Sequence, residues 1–219
     1  MNDPTGDPAP SRQRWEPHPI EIAGIRPPDS QAAQAAERLC REASSWLLYA
    51  HSVRSYVYAS LLASSDGLQV NDEALYVGCI LHDVGLTPRY EQPTQPFEEV
   101  GAAVATSLMA EQGWENMRRA ALGRAIVLHM AAEIGSSELP ESHALEAGVA
   151  LDVTGRRLAD LDQAVVAEVL RVLPRGPFKR DFTALIEREA ERKPRSATAL
   201  GTRRGLLDRI GTAPFDDTP

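Results

Sequence analysis

No stretch of this chain alternates apolar and polar residues as a half-buried strand must. Its apolar runs instead recur at the spacing of a helix. QAAQAAERLCREA, WLLYAHSVRSYVYASLLAS, DEALYVGCILHD, PFEEVGAAVATSLMAEQG and NMRRAALGRAIVLHMA follow one another, separated by start and stop residues. Ser30 caps the first run. The second spans about 45–64 and ends at Asp66-Gly67, and Asn71 or Asp72 caps the third, which stops at Gly85 with Pro88 beyond. Pro96 and two glutamates open the fourth, where acidic groups suit the positive end of a helix. After a loop holding Gly135 and Pro140, HALEAGVALDVTGRRL, LDQAVVAEVLRVL and FTALIEREAERK complete the set. The pattern predicts an all-α domain over 29–195 without internal repeats. An irregular Pro-, Asp- and Arg-rich arm precedes it over 1–28, and a tail over 196–219, irregular or lightly docked, follows.

Composition narrows the partners. A chain of 219 residues is one domain with room for a substantial core. Its net charge of −8 argues against a nucleic-acid partner, whereas a small neutral substrate meets no such repulsion. No uncharged apolar run approaches the roughly 18 residues that cross a bilayer, so no membrane partner is expected. The opening MNDPTGDPAP lacks the basic and apolar regions of a signal peptide. Cys40 and Cys79 lie inside helical runs, as reduced thiols of a cytoplasmic protein would. A small-molecule substrate is the expected partner, with self-association into a homo-oligomer left open.

The chemistry sits where polar groups interrupt those apolar runs. CILHDVGL ends an apolar helix in His82-Asp83, His51 lies mid-helix after Leu47 and Leu48, and Asp152 sits in GVALDV. A buried imidazole or carboxylate is costly unless something pairs with it. Three helices converging in a bundle would assemble two imidazoles and two carboxylates, a mixed nitrogen and oxygen set suited to a divalent ion. The competing reading is a histidine–carboxylate network that fills a polar hole in the core.

In order and in helical context, His51, His82-Asp83 and Asp152 resemble the H…HD…D pattern of the HD-domain metal-dependent hydrolase superfamily. Two departures set the chain apart from members that act on phosphates or hold two metals. Leu86 stands where many phosphohydrolases carry a lysine after HD-x-G, and Phe97 stands where dinuclear members begin an H-E-x-x-G-A stretch with a metal-binding histidine. Within the superfamily the chain is similar to cyanamide hydratase and its relatives. The matching segments are His51, Ser52, Arg54, Tyr56 and Tyr58 of HSVRSYVY, the run CILHDVGLT, FEEVG, and a late Lys193-Pro194. KPRSAT and the flanks of Thr87 depart from those relatives, leaving scope for a nitrile- or amide-like substrate other than cyanamide.

The resemblance implies a single helical bundle around a buried mononuclear site. One divalent ion, zinc ahead of iron, would be held by His51, His82, Asp83 and Asp152. It further implies addition of metal-activated water to a small neutral substrate, cyanamide giving urea or a nitrile giving an amide, a hydro-lyase type of reaction. His129, in VLHMA, is the candidate proton donor or orienting group beside Asp83, and Arg54, Tyr58, Thr87 and Phe97 are the candidates for binding substrate. Plainer roles compete with these: a helix C-terminal imidazole for His129, a salt bridge for Arg54, core packing for Tyr58, a loop start for Thr87. Glu98 and Glu99 read as helix-start charges, Cys79 as a buried thiol, and His18 and His143 as solvent-facing. Two alternative functions stand beside hydration. One is an HD-type phosphohydrolase of nucleoside monophosphates with Arg54 on the phosphate; the other is a non-catalytic, metal-stabilised ligand-binding domain.

Overall fold

The long helix that carries His51 is buried on nearly every side, and the rest of the fold is arranged to cover it. The computed structural model describes residues 21–216, and these form ten α-helices with a single isolated pairing between Ile22 and Ile25. In chain order they are α1 (Gln31–Ala43), α2 (Trp46–Ser65), α3 (Asp72–Leu81), α4 (Phe97–Glu111) and α5 (Asn116–Leu128), then α6 (Pro140–Thr154), α7 (Gln163–Val172), α8 (Phe178–Arg192), α9 (Ala197–Arg203) and α10 (Leu206–Gly211). None of the helices is long and apolar enough to cross a membrane. The starts follow the expected chemistry: Ser30, Ser45 and Asn71 accept the amides of Ala33, Leu48 and Ala74, satisfying otherwise orphaned donors.

α6 lies along α2, and a glycine permits the contact. A Cβ at Gly148 would come within 2.3 Å of the Ser55 carbonyl oxygen and 2.7 Å of the Ala59 Cβ, so only glycine lets the two backbones touch. One turn further along α6, Asp152 therefore arrives beside His51, itself one turn before Ser55. α4 meets the end of α3 in the same way, because a Cβ at Gly101 would stand 2.7 Å from the His82 carbonyl oxygen.

Three segments differ from the sequence expectation. The helix read as running to 158 stops at Thr154, where Gly155 takes φ +74° and ends it with a left-handed cap. The tail takes the docked alternative, and does so as helices the pattern did not show: α9 and α10 dock on the bundle, with Ile210, Ala213 and Phe215 buried and Lys179 Nζ donating to the Phe215 carbonyl at 2.7 Å. Its few apolar residues are too sparse to show a period, yet Ala199, Ile210, Ala213 and Phe215 are buried. Residues 1–20 of the expected arm, His18 among them, lie outside the described residues. Its end is pinned, with Ile22 buried, Ala23 N donating to Glu168, and the Arg26 carbonyl accepting from Tyr56.

Candidate metal centre

His82 and Asp83 occupy the point where α3 stops. His82 is the C-cap, still near helical geometry, while Asp83 leaves it at φ −102° and ψ 4° before the short turn Val84–Leu86. Adjacent helical side chains point about 100° apart; breaking the helix here instead folds Asp83 back beside His82. His51 approaches from the middle of α2, and His129 caps α5.

The four groups converge closely. His51 Nε2 lies 3.2 Å from His82 Nε2 and 3.4 Å from Asp83 Oδ2, and His82 Nε2 lies 3.2 Å from the same oxygen. His129 Nε2 stands 3.8 Å from Asp83 Oδ1. All are buried. Hydrogen bonds on the far side of each ring decide what those nitrogens present. His51 Nδ1 donates to Asp152 Oδ2 at 2.7 Å, His82 Nδ1 donates to the Cys79 carbonyl at 2.7 Å, and His129 Nδ1 donates to the Ile126 carbonyl. In the neutral imidazoles that network assigns, each Nε2 is an inward lone pair.

Three lone pairs and a carboxylate thus face one another across the hole, and Asp83 Oδ2 has no hydrogen-bond donor among the described residues. Acceptors at such distances repel unless something positive lies among them. Donors bound tetrahedrally to one ion at about 2.0–2.1 Å stand about 3.3–3.4 Å apart, so the 3.2–3.4 Å triangle of His51, His82 and Asp83 fits a divalent metal. Without a metal, protons serve the same need. Burial opposes a charge on His51, but its bond to Asp152 and the Asp83 carboxylate beside it outweigh that and raise its pKa. Burial likewise opposes ionisation of Asp83, and His82 and His51 reverse it, holding the carboxyl well below the usual range.

Asp152 is placed differently from the expected fourth ligand. Its carboxylate lies behind His51, where Arg54 grips it through Nε at 2.8 Å and Nη2 at 2.9 Å, and Arg175 Nη1 adds a bond at 3.0 Å. The ligand atoms that cluster are those of His51, His82 and Asp83. Two guanidiniums draw Asp152 away from that group. Burial works against its charge, yet Arg54 and Arg175 hold its carboxyl far below the ordinary range. Phe178 lies beneath both cations, at 5.3 and 4.4 Å from its ring centroid, and stacks on Phe182; each ring also flanks His51.

The four candidate substrate-binding residues are not gathered on one wall. Arg54 is buried, its donors directed at Asp152 and the Leu173 carbonyl. Tyr58 is fully buried, and its hydroxyl has no hydrogen-bond partner among the described residues. Thr87 starts a loop, donating to the Val84 carbonyl at 2.6 Å. Phe97 alone borders the centre, its ring 5.5 Å from that of His129. His129 is not the dipole-stabilised cation of a helix end, because burial and the His82 imidazole push its pKa down to about 3. Cys79 is a buried thiol whose backbone, rather than its sulfur, serves the site. Tyr56 is structural, bonded to Asp72, and His143 is half-buried.

Sequence reasoning missed Arg175, Phe178 and Phe182, and it read Glu98 as a helix-start charge, which it is, without foreseeing its burial. Arg175 sits in LPRGPF, which reads as a turn and gives no periodic signal.

A family model for the HD domain matches residues 48–173. Two cyanamide hydratases of Saccharomyces cerevisiae, DDI2 and DDI3, are each 23% identical to the chain over 180 residues, covering 80% of this chain and 80% of each relative.

Proposed function

Since the chain belongs to the HD-domain family of metal-dependent hydrolases, we propose that it hydrates a small neutral nitrile-type substrate, cyanamide or a close relative. The observation that carries this reading is the lining of the centre. Buried Leu86 and Phe97 stand where a phosphate-binding lysine and a second-metal histidine would be needed, and Phe178 and Phe182 close the side next to His51. Arg54, the cation that a nucleotide phosphohydrolase would use, is committed to Asp152. The distant likeness to two yeast cyanamide hydratases points the same way.

His51, His82 and Asp83 would hold one divalent ion, with Asp152 fixing the His51 tautomer from behind. A ligand triangle nearer tetrahedral than octahedral spacing supports zinc ahead of iron. A bound ion supplies Lewis acidity, easing loss of a proton from the attacking water. The chain's own residues do the rest. His129 Nε2, neutral and 3.8 Å from Asp83 Oδ1, is placed to accept a hydrogen bond from the attacking water as its oxygen bonds to the nitrile carbon. Because burial disfavours an imidazolium there, the proton passes across His129 to the nitrile nitrogen in the same motion and does not rest on the ring, giving an imidic acid that tautomerises to the amide. Phe97, beside His129, and the Phe178–Phe182 pair, beside His51, keep bulk water from competing at that nitrogen.

The test is a substrate panel on the metal-loaded protein, with ammonia-free release of urea from cyanamide followed alongside phosphate release from nucleoside monophosphates. Urea without phosphate is the expected result. Phosphate release without nitrile turnover would replace hydration with phosphohydrolysis.

A further inference from the structure

The segment after α10 lies against the carboxylate that stands behind His51. Gly155, three residues beyond Asp152, takes φ +74° and makes room for Pro214, since a Cβ there would stand 2.3 Å from the proline Cδ. Ala213 and Phe215, on either side of that proline, are buried, and Lys179 Nζ donates to the Phe215 carbonyl at 2.7 Å. The segment is thus held by its proline, its ring and its backbone.

What the Phe215 ring covers is Arg175. The guanidinium carbon lies 4.3 Å from the Phe215 centroid and 4.4 Å from that of Phe178, so one cation is shared by two rings. Arg175 is 4% exposed, and a cation so desolvated gains more from aromatic faces than one in water. Its Nη1 donates to Asp152 twice, to the main-chain carbonyl at 2.7 Å and to Oδ1 at 3.0 Å. Asp152 Oδ2 in turn accepts from His51 Nδ1 at 2.7 Å, which leaves Nε2 to face the centre. Every step is a direct contact: Phe215 on Arg175, Arg175 on Asp152, Asp152 on His51.

We propose that Phe215 is a positioning residue for the metal centre. Its docking clamps Arg175, and through Asp152 this holds His51 Nε2 toward the ion. The inference rests on the metal reading of that centre, not on the choice of substrate. Arg54 and Arg175 are not equivalent partners of Asp152. Arg54 reaches only the carboxylate, from the middle of α2, whereas Arg175 ties the carboxylate to the backbone of the same residue and so sets its direction. Arg175 comes from a Pro-Gly turn in which Gly176 has φ +51° and open space around it. Stacking between rings supplies the rigidity that a helix gives Arg54. Because the two events share one chain of contacts, docking of the segment and binding of the ion strengthen each other by the same factor.

The test measures zinc affinity, by competition with a chromophoric chelator, on the full chain and its Phe215→Leu and Phe215→Tyr variants. Leucine keeps apolar bulk without a ring, and tyrosine keeps the ring. Partners behind metal-binding histidines are worth about 10- to 100-fold in affinity, so a contact one step further back should give a part of that, about 3- to 30-fold weaker zinc binding in Phe215→Leu. Phe215→Tyr should stay near the parent. By reciprocity, zinc should slow hydrogen exchange of the amides over 206–216 in the parent and in Phe215→Tyr, and less in Phe215→Leu. A role in packing alone would lower the melting temperature of Phe215→Leu while zinc affinity stayed at the parent level, and that result would overturn the assignment. So would a loss that Phe215→Tyr does not restore. A parent that binds zinc and hydrates no nitrile would end the hydration reading and leave the clamp standing, whereas a parent that binds no zinc would remove the metal centre and the clamp together.

Discussion

Two clusters of buried charge lie back to back across the His51 ring, and they are finished to different degrees. On the Nδ1 side, Asp152 is enclosed by His51, Arg54 and Arg175, so each carboxylate oxygen has donors. On the Nε2 side, His51, His82 and Asp83 offer only acceptors to one another, and Asp83 Oδ2 has no donor among the described residues. The closed cluster behaves as scaffold: it fixes which nitrogen of His51 carries the proton and therefore which faces the centre. The open cluster is complete only with a cation. The same imidazole serves both, and its two nitrogens divide structure from chemistry.

The sharpest way to break this division is to remove a member of the open side. His82→Ala and Asp83→Ala should each strip the metal and abolish turnover, and chelation of the parent should lower its melting temperature, because an ion bound only to the native state stabilises it by mass action. Elemental analysis beside a thermal melt decides this. Stoichiometric metal retained in both variants would mean that the triangle is not a metal site. On the closed side the expected loss is in folding. Asp152→Ala leaves two guanidiniums buried without their carboxylate and should cost about 3–5 kcal/mol in urea unfolding. Arg175→Met keeps the Arg54 pair and should cost less, about 1–3 kcal/mol. If Asp152→Ala instead lost metal as completely as His82→Ala while keeping its stability, Asp152 would belong to the open side, as the H…HD…D resemblance implies.

The next effect falls on turnover alone. His129→Ala should slow hydration by about 10²–10⁴-fold, the usual scale for a residue that moves a proton, while metal content stays at the parent level. Metal loss in this variant would make His129 a further ligand of the open cluster.

How far each cluster could be read from the sequence follows from the same contrast. The open side was legible because its residues interrupt apolar helices: His51 among leucines and valines, His82-Asp83 at the end of CIL, His129 after IVL. A polar group in an otherwise buried stripe announces itself by its cost. The closed side was half legible. Asp152 and Arg54 lie in helices, but which atoms of Asp152 face what depends on Arg175, 23 residues away in a Pro-Gly turn without periodicity. Phe178 and Phe182 repeat at helical spacing, as any core pair would, so nothing in their spacing ties them to His51. The C-terminal helices escaped for a related reason. Phe215 packs on the Arg175 guanidinium at 4.3 Å, a cation–π contact that leaves no pattern along the chain.

Glu98 provides a third buried charge against which to calibrate the other two, and its effect should be the smallest. The closed cluster ionises its acid by surrounding it with cations, whereas Glu98 has only a lysine already held by Glu189. Its carboxyl is pushed up to about 7 from an ordinary 4.5 by burial first, then by Glu189 and Glu99. Between those values the native state keeps a proton that the unfolded chain has released. Stability contributed by this group is therefore fully present below about pH 4.5 and is lost as pH rises through 7. The slope is bounded by about 1.4 kcal/mol per pH unit for one proton, and partial hydration brings the expected total to about 1–3 kcal/mol. Glu98→Gln cannot ionise, so its stability relative to the parent should climb between pH 5 and about 7 and level off above that. Urea unfolding of both proteins across that range measures the difference directly. Parallel curves would show that Glu98 ionises as a surface carboxylate does, and the contrast between a paired acid and an unpaired one would then end with Asp152 and Asp83.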